Sequence, residues 1–341
     1  MAGRGGWSGE TTRGPAFAAL DLGTNNCRLL VARPTASGFR VIDAFSRVVR
    51  LGEGLAQSGR LGEDAIQRTL DALRVCAQKI RRRAVVRSRN VATDACRRAS
   101  NCEDFLGRVR SETGIDLEII TSGEEARLAL AGCLPLLQGG EPRAFVFDIG
   151  GGSTELIWID LGGDDNGGGP RILGTYSLPV GVVNVAERHG CDRIGAKAYE
   201  RLVREIESML VDFEADHRIR DEIDLGAVQM LGTSGTVTTL ASISQGLPRY
   251  DRALVDGSFL ERDAVLAINA RLADSSHAER VDMPCIGRDR ADLVVAGAAI
   301  LDAIWRTWPV GRLRVADRGL REGILLNLMS ERRTPCSAAV N

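Results

Sequence analysis

Asp21 and Asp148 sit in the two segments of this chain that point most directly to chemistry. Each ends an apolar run and opens a glycine-bearing turn. Residues 17–32 read FAALDLGTNNCRLLVA and residues 144–159 read AFVFDIGGGSTELIWI. The segments match position for position: Asp21 with Asp148, Gly23 with Gly150, Arg28 with Glu155, Leu29 with Leu156. A carboxylate cannot hold a phosphate directly, but it can hold Mg²⁺, which bridges to phosphate oxygens. Gly150, Gly151 and Gly152 leave backbone N–H groups bare and let an oxygen-rich ligand approach closely. Thr24 and Asn25 repeat that arrangement in the first copy. Glu155 follows on the return strand, where a hairpin sets it beside Asp148, so both acids can face one metal. Turn geometry alone explains a single such hairpin equally well. Two of them, with a third turn at Gly232–Thr236, favour a repeated phosphate-and-metal clamp.

Two further groups bear on this chemistry. Glu124 and Glu125 open a helix after Ser122 and Gly123. Helix capping accounts for one of them, and the residues alone leave open which acid points where. Arg97 and Arg98 follow a short strand. The arginine fork suits phosphate oxygens, although two adjacent arginines are more often a solvated charge pair. His189, His217 and His277 are isolated among charged residues and are expected at the surface. Trp7, Trp158, Trp305 and Trp308 show no stacking pattern for single-stranded nucleic acid.

The elements that must position these groups are legible from periodicity. Strands are expected at 17–22, 27–32 and 39–49, then a helix at about 63–82 in which Ile66, Leu70, Leu73, Ala77 and Ile80 recur at helical spacing. Val91–Thr93 reads as a short strand, Phe105–Val109 as helix, Leu117–Ile120 as strand, and 124–137 as helix. The order then restarts with strands at 144–149, 153–160 and 171–178. A helix follows at 195–214, a strand at 228–231, helices at 237–245 and 291–305, a strand at 313–316 and a helix at 318–330. A β-meander followed by helices, run twice, predicts two α/β lobes with mixed sheets and a cleft between them.

The composition sets outer bounds. The chain has 341 residues, 44 Lys plus Arg against 45 Asp plus Glu, so a polyanion must be held by local groups rather than an overall basic field. Eight cysteines show no C-x-x-C spacing, which excludes a zinc ribbon or dithiol motif and favours buried reduced thiols. The glycine-rich residues 1–15 read as a disordered tail, 333–341 as a flexible C-terminal tail, and 162–170 as a surface turn. No apolar stretch is long enough to span a bilayer, so a cytoplasmic location with no membrane partner is expected.

These motifs resemble the exopolyphosphatase/guanosine pentaphosphate phosphatase family of the actin–Hsp70–sugar kinase superfamily. The carrying segments are LDLGTNNCRLL (20–30), VATDACR (91–97), SGEEARLAL (122–130), FDIGGGSTEL (147–156), GTSGTVTTLA (232–241) and RADLVVAGAAIL (290–301). The resemblance implies two actin-like (ribonuclease H-like) lobes flanking an active-site cleft. The first would comprise 16–124 plus 315–332 and the second 125–314. It implies Mg²⁺-dependent release of terminal phosphate from inorganic polyphosphate or from guanosine pentaphosphate. By position, Glu125 matches the family's catalytic base, Arg97 its phosphate-gripping arginine, and Asp148 and Glu155 its metal- and water-binding acids. Asp21 is the counterpart metal ligand in the first lobe. Thr24, Asn25 and Asn26 match one phosphate loop; Gly150, Gly151, Gly152, Ser153 and Thr154 match the other, with Gly235 in the third turn. Asn26 stands where serine is common in the family. The chain also resembles the family's short form, without an extra helical C-terminal region, and a homodimer is implied by resemblance only.

An ATP-using kinase or chaperone of the same superfamily is the competing class. The SGEEARL segment argues against it, because a glutamate base at the lobe junction suits a hydrolase. A non-catalytic polyphosphate or alarmone sensor is a third class, disfavoured by the presence of both Glu125 and Glu155.

Overall fold

A computed structural model of the chain describes residues 14–137, 140–162, 169–190 and 192–331. Most of the expected N-terminal tail, the C-terminal tail and most of the 162–170 turn lie outside these residues. The strands are β1 (Ala16–Leu22), β2 (Asn26–Thr35), β3 (Gly38–Val48), β4 (Val85–Ala92), β5 (Glu118–Ile119), β6 (Arg143–Ile149), β7 (Thr154–Asp160), β8 (Arg171–Leu178), β9 (Val228–Thr233), β10 (Phe259–Glu261) and β11 (Arg312–Ala316). They form two mixed sheets in the orders β3-β2-β1-β4-β5 and β10-β11-β9-β6-β7-β8. In each, an antiparallel meander is followed by parallel strands: β1 pairs antiparallel with β2 and parallel with β4, as β6 pairs antiparallel with β7 and parallel with β9. The repeat seen in the sequence is therefore a repeat of topology, with β10 as an addition.

The central strands β1 and β6 are apolar nearly throughout because helices cover both faces of each sheet. On the outer side of the first sheet, Leu20, Leu22 and Leu29 pack on Ile66, Leu70 and Leu73 of the helix Glu63–Arg82 and on Phe105 and Val109 of the helix Cys102–Thr113. On the inner side, Phe17, Ala19 and Leu30 meet Leu320, Ile324, Leu325 and Leu328 of the last helix, Leu320–Ser330. The second sheet repeats this scheme. Phe145 and Phe147 pack on Ile300, Ile304 and Trp305 of the helix Val294–Thr307. Val146, Ile157 and Ile159 pack on Ala126, Leu130 and Cys133 of the helix Ser122–Cys133.

The two inner helices cross between the lobes at glycine. A Cβ on Gly323 would lie 1.9 Å from the Leu128 carbonyl oxygen, and one on Gly132 would lie 2.1 Å from the Gly319 carbonyl oxygen. Backbone thus meets backbone at the hinge, and no side chain fits there.

Several boundaries differ from the sequence expectation. Ala316 still pairs with Thr233 in the second sheet, so the return to the first lobe falls after 316 instead of at 315. The helix Ser122–Cys133 serves both lobes, with Leu128 in the first lobe's inner core and Ala126 and Leu130 in the second's. It ends at Cys133, before Pro135 tightens the chain into a 3₁₀ turn. The helix expected at 195–214 is two, Ala196–Ser208 and Val211–His217. Helices Asp94–Arg98, Val182–His189 and Arg262–Asp274 were not anticipated. The cysteines found at 27, 76, 96, 102, 133 and 285 are free thiols, as expected. Among the described residues no helix is long and apolar enough to cross a membrane.

Candidate active site

Hairpin register decides which side chains reach the cleft. Asp148 stands directly opposite Glu155, and Asp21 directly opposite Arg28. Cross-strand partners project from the same face of the sheet, so each hairpin presents one pair. The tips themselves touch. A Cβ on Gly151 would lie 2.9 Å from Thr24 Cβ, and one on Gly152 would lie 2.0 Å from Asp94 Oδ2 and 2.8 Å from Thr24 Oγ1. Gly151 and Gly152 are needed because the first lobe leans on them, and Gly150 because a Cβ there would lie 2.8 Å from the Ser153 carbonyl oxygen of its own hairpin.

Behind the tips lies a cleft of about 720 Å³, open to solvent. Asp21, Glu125 and Asp148 all line it, as do Thr24, Asn25 and Asn26 from one tip and Gly150–Ser153 from the other. Gly235, at the start of the helix Gly235–Ser244, closes a further side. The choice between Glu124 and Glu125 is made by the first turn of the helix Ser122–Cys133. Glu124 pairs with Arg89 at 2.5 Å, away from the cleft, whereas Glu125 lines it.

Three expected site residues are placed differently. Arg97 does not line the cleft. It lies on the short helix Asp94–Arg98, and its Nη1 donates to Glu125 Oε2 at 2.8 Å and to the Ile120 carbonyl at 3.0 Å. Glu155 is buried behind Asp148, its Oε1 accepting from Ser153 Oγ at 2.7 Å and from Ser177 Oγ at 3.0 Å. Thr154 is fully buried and gives its hydroxyl to the Val180 carbonyl at 2.7 Å. Strand alternation turns it to the side opposite Glu155, away from any phosphate.

The electrostatics are those of a dry, crowded acid cluster. Burial pushes the Asp148 carboxyl up to about 7, reinforced by Glu155. Burial raises Asp21, and burial followed by Glu155 raises Glu125 well above the ordinary glutamate range, against the lowering pull of Arg97. Glu155 is raised by burial and held back by its two serine hydroxyls. Acids so placed repel one another and favour a cation among them. Asn25 Oδ1 is also buried without a partner, an acceptor in want of a donor or a metal. Among the described residues no three carboxylate, histidine or cysteine groups cage an ion by themselves. Magnesium takes only one or two carboxylates and completes its shell with water and phosphate, so the donor set fits it.

The cationic side of the cleft was missed by sequence reasoning. Arg28, Arg290 and Arg321 line it. Arg290 donates to Thr239 Oγ1 at 2.6 Å. Arg28 and Arg321 make no hydrogen bond or ion pair among the described residues, and burial lowers the pKa of Arg290 and Arg321. Asp21 and Glu322 lie close enough to pull on Arg321, and Asp21 and Asp148 feel Arg28, but among the described residues neither guanidinium is hydrogen-bonded to an acid, which leaves its fork free for an anion. Arg28 could have been found from its place opposite Asp21 in the repeat; Arg321 has no such signal.

The model of the Ppx/GppA phosphatase family matches residues 30–332. The chain belongs to that family. A curated member, the guanosine-5'-triphosphate,3'-diphosphate pyrophosphatase of Vibrio cholerae serotype O1, is 30% identical over 327 residues, covering 95% of this chain and 61% of that protein. The chain thus spans about three fifths of the length of the curated relatives it matches. The solved Aquifex aeolicus family member superposes with a TM-score of 0.76 at 29% identity, covering 94% of this chain and 99% of that one. An exopolyphosphatase-like protein superposes at 0.82 with 28% identity over 94% and 99%. Both neighbours of this Ppx/GppA chain share its two-lobed, actin-like architecture.

Proposed function

We propose that the chain is a phosphoanhydride hydrolase that removes the terminal phosphate of inorganic polyphosphate by attack of water. The observation that carries this reading is that Glu125 and Asp148 open onto one cleft, which is floored by two matching phosphate-type tips. A second reading, removal of the 5'-terminal phosphate of guanosine pentaphosphate, is supported by the name of the Vibrio cholerae relative. Both substrates present the same phosphate end to the cleft.

Hydrolysis of a phosphoanhydride needs charge neutralisation, in-line positioning and an oriented water more than covalent help. The N–H groups of Gly151, Gly152 and Thr24–Asn26 would hold the terminal phosphate, and Arg28, Arg290 and Arg321 the phosphates behind it, while the Gly150 N–H closes its own hairpin on the Ser153 carbonyl at 2.9 Å. Asp148 and Asp21, backed by Glu155, would hold Mg²⁺. When bound, the ion supplies positive charge to phosphate oxygens. Glu125 would take a proton from the attacking water. Its raised pKa makes it a stronger base, and general-base assistance of this kind is worth about 10²–10⁴ in rate. Arg97, in contact with Glu125, would orient that base and keep it ionisable.

The test is direct. Purified protein with Mg²⁺ is offered polyphosphates of several lengths, guanosine pentaphosphate and ATP, and released phosphate is measured. Release from polyphosphate supports the first reading, and release from guanosine pentaphosphate alone supports the second. Turnover of ATP only would place the chain with the superfamily's ATP users instead.

A further inference from the structure

We infer that Arg50, with Asp292 and Glu187, forms an interlobe clasp that sets the separation of the two phosphate tips. This inference rests on the cleft being the site proposed above. Arg50 is a positioning residue: none of the three lines the cleft.

Each tip is stitched to a support. In the first lobe, the N–H groups of Val49 and Arg50 donate to the Asn25 carbonyl at 2.8 and 3.0 Å, and Gly52 N–H donates to the Thr24 carbonyl at 2.9 Å. The loop after β3 therefore carries the Thr24–Asn25 tip. In the second lobe, Val182 and Val183 N–H donate to the Gly150 and Gly151 carbonyls at 3.0 and 2.8 Å. Asn184 Nδ2 donates to the Gly152 carbonyl at 2.9 Å. The start of the helix Val182–His189 therefore carries the glycine tip.

The two supports are tied to each other. Gly54 N–H donates to Glu187 Oε1 at 2.8 Å, from the first lobe's loop to the second lobe's helix. Beside it, Arg50 Nη2 meets Asp292 Oδ2 at 2.6 Å. Arg50 holds a left-handed backbone, φ 50°, which costs any residue with a Cβ. It is the one residue of the loop whose side chain reaches across. The second oxygens, Asp292 Oδ1 and Glu187 Oε2, are buried without hydrogen-bond partners. Arg50 is the sole ion-pair partner of Asp292 among the described residues. Without it, a mostly buried carboxylate is left uncompensated in the seam between the two supports, which disfavours the closed contact relative to a parted one that hydrates the acid fully.

A clasp of this kind acts on the population of the closed cleft. Substrate that binds only the closed form sees its affinity reduced by the closed fraction, while saturating substrate restores closure and the chemical step. The variants are Arg50→Asn, which tolerates the left-handed backbone, Asp292→Asn, and the two combined. Arg50→Gly is the fallback that keeps the loop geometry. With tripolyphosphate and Mg²⁺, Arg50→Asn is expected to raise KM about tenfold with kcat little changed, the size of a lost charged hydrogen bond. The combined variant is expected to be no worse than Arg50→Asn. In small-angle scattering of the protein without substrate, Arg50→Asn is expected to show a larger radius of gyration than the parent. Unchanged KM and scattering, effects that multiply in the combined variant, or a loss of kcat at constant KM would each overturn the clasp. If the parent protein hydrolyses no phosphoanhydride, the proposed function fails, and the scattering comparison still decides the clasp.

Discussion

The helix crossing offers the sharpest physical prediction, because two principles disagree about its sign. Gly323 lies inside the helix Leu320–Ser330, where replacing glycine by alanine normally stabilises by about 1 kcal/mol through backbone entropy. Packing opposes this. The added Cβ would sit 1.9 Å from the Leu128 carbonyl oxygen, where ordinary contact begins at 3.4 Å. Neither atom is the end of a flexible side chain, so the two helices themselves must separate. Each lines the inner face of a sheet, and separation opens both inner cores at once. Overpacking costs about 1–3 kcal/mol where side chains can adjust, and backbone contact belongs at or above the top of that range. Gly323→Ala is expected to destabilise by about 3 kcal/mol net of propensity. Gly107→Ala is the matched control, since Gly107 is an exposed helical glycine with nothing within 4 Å of its added Cβ. It is expected to stabilise by about 0.5–1 kcal/mol. Urea unfolding followed by circular dichroism reads both. A Gly323→Ala protein as stable as the parent would refute the close-crossing argument.

Three further outcomes follow from the geometry. Asp43 accepts from Lys79 and Arg83, which hold its carboxyl down at about 2, below its ordinary 3.8. A depressed acid stabilises above its unfolded pKa and loses that contribution as pH falls through the folded one. Asp43→Asn should therefore cost about 1 kcal/mol at neutral pH once solvent screening of the part-exposed Lys79 and Arg83 is counted, with the gap to the parent closing between pH 4 and 2 in pH-dependent melts. A gap independent of pH would refute the linkage. Arg28→Ala should raise KM for polyphosphate about ten- to a hundredfold in steady-state phosphate release, and an unchanged KM would remove Arg28 from the anion site. Arg97→Ala removes the group that lowers the Glu125 pKa, so the acid limb of the rate profile should move to higher pH, with kcat recovering as pH rises. A uniform loss at every pH would assign Arg97 to phosphate binding instead.

Much of the fold was legible because the duplication is written in local signals. Apolar runs ending in Asp21 and Asp148, each followed by a glycine turn, carry both hairpins and their register. Asp148 was readable from residue type and spacing, whereas Glu125 was set apart from Glu124 only by the family resemblance. What sequence could not show is orientation. Thr154 and Glu155 are neighbours, yet alternation turns one into the core and the other toward Asp148. Arg97 reads as a phosphate grip until the unanticipated helix Asp94–Arg98 turns it onto Glu125. Arg321 sits in the cleft only because the last helix returns across the hinge, a contact between the two ends of the chain. Arg50 carries no motif; its role depends on a loop conformation and a partner far away in sequence.

The central claim is that Glu125 deprotonates the attacking water above two phosphate tips. Glu125→Gln keeps the side chain's size and removes its basicity. Phosphate release by this variant, with its melting curve and its affinity for tripolyphosphate measured on the same sample, is the decisive measurement. The account predicts a folded protein that binds tripolyphosphate and turns over at least about a hundredfold more slowly. Turnover at the parent rate would contradict it.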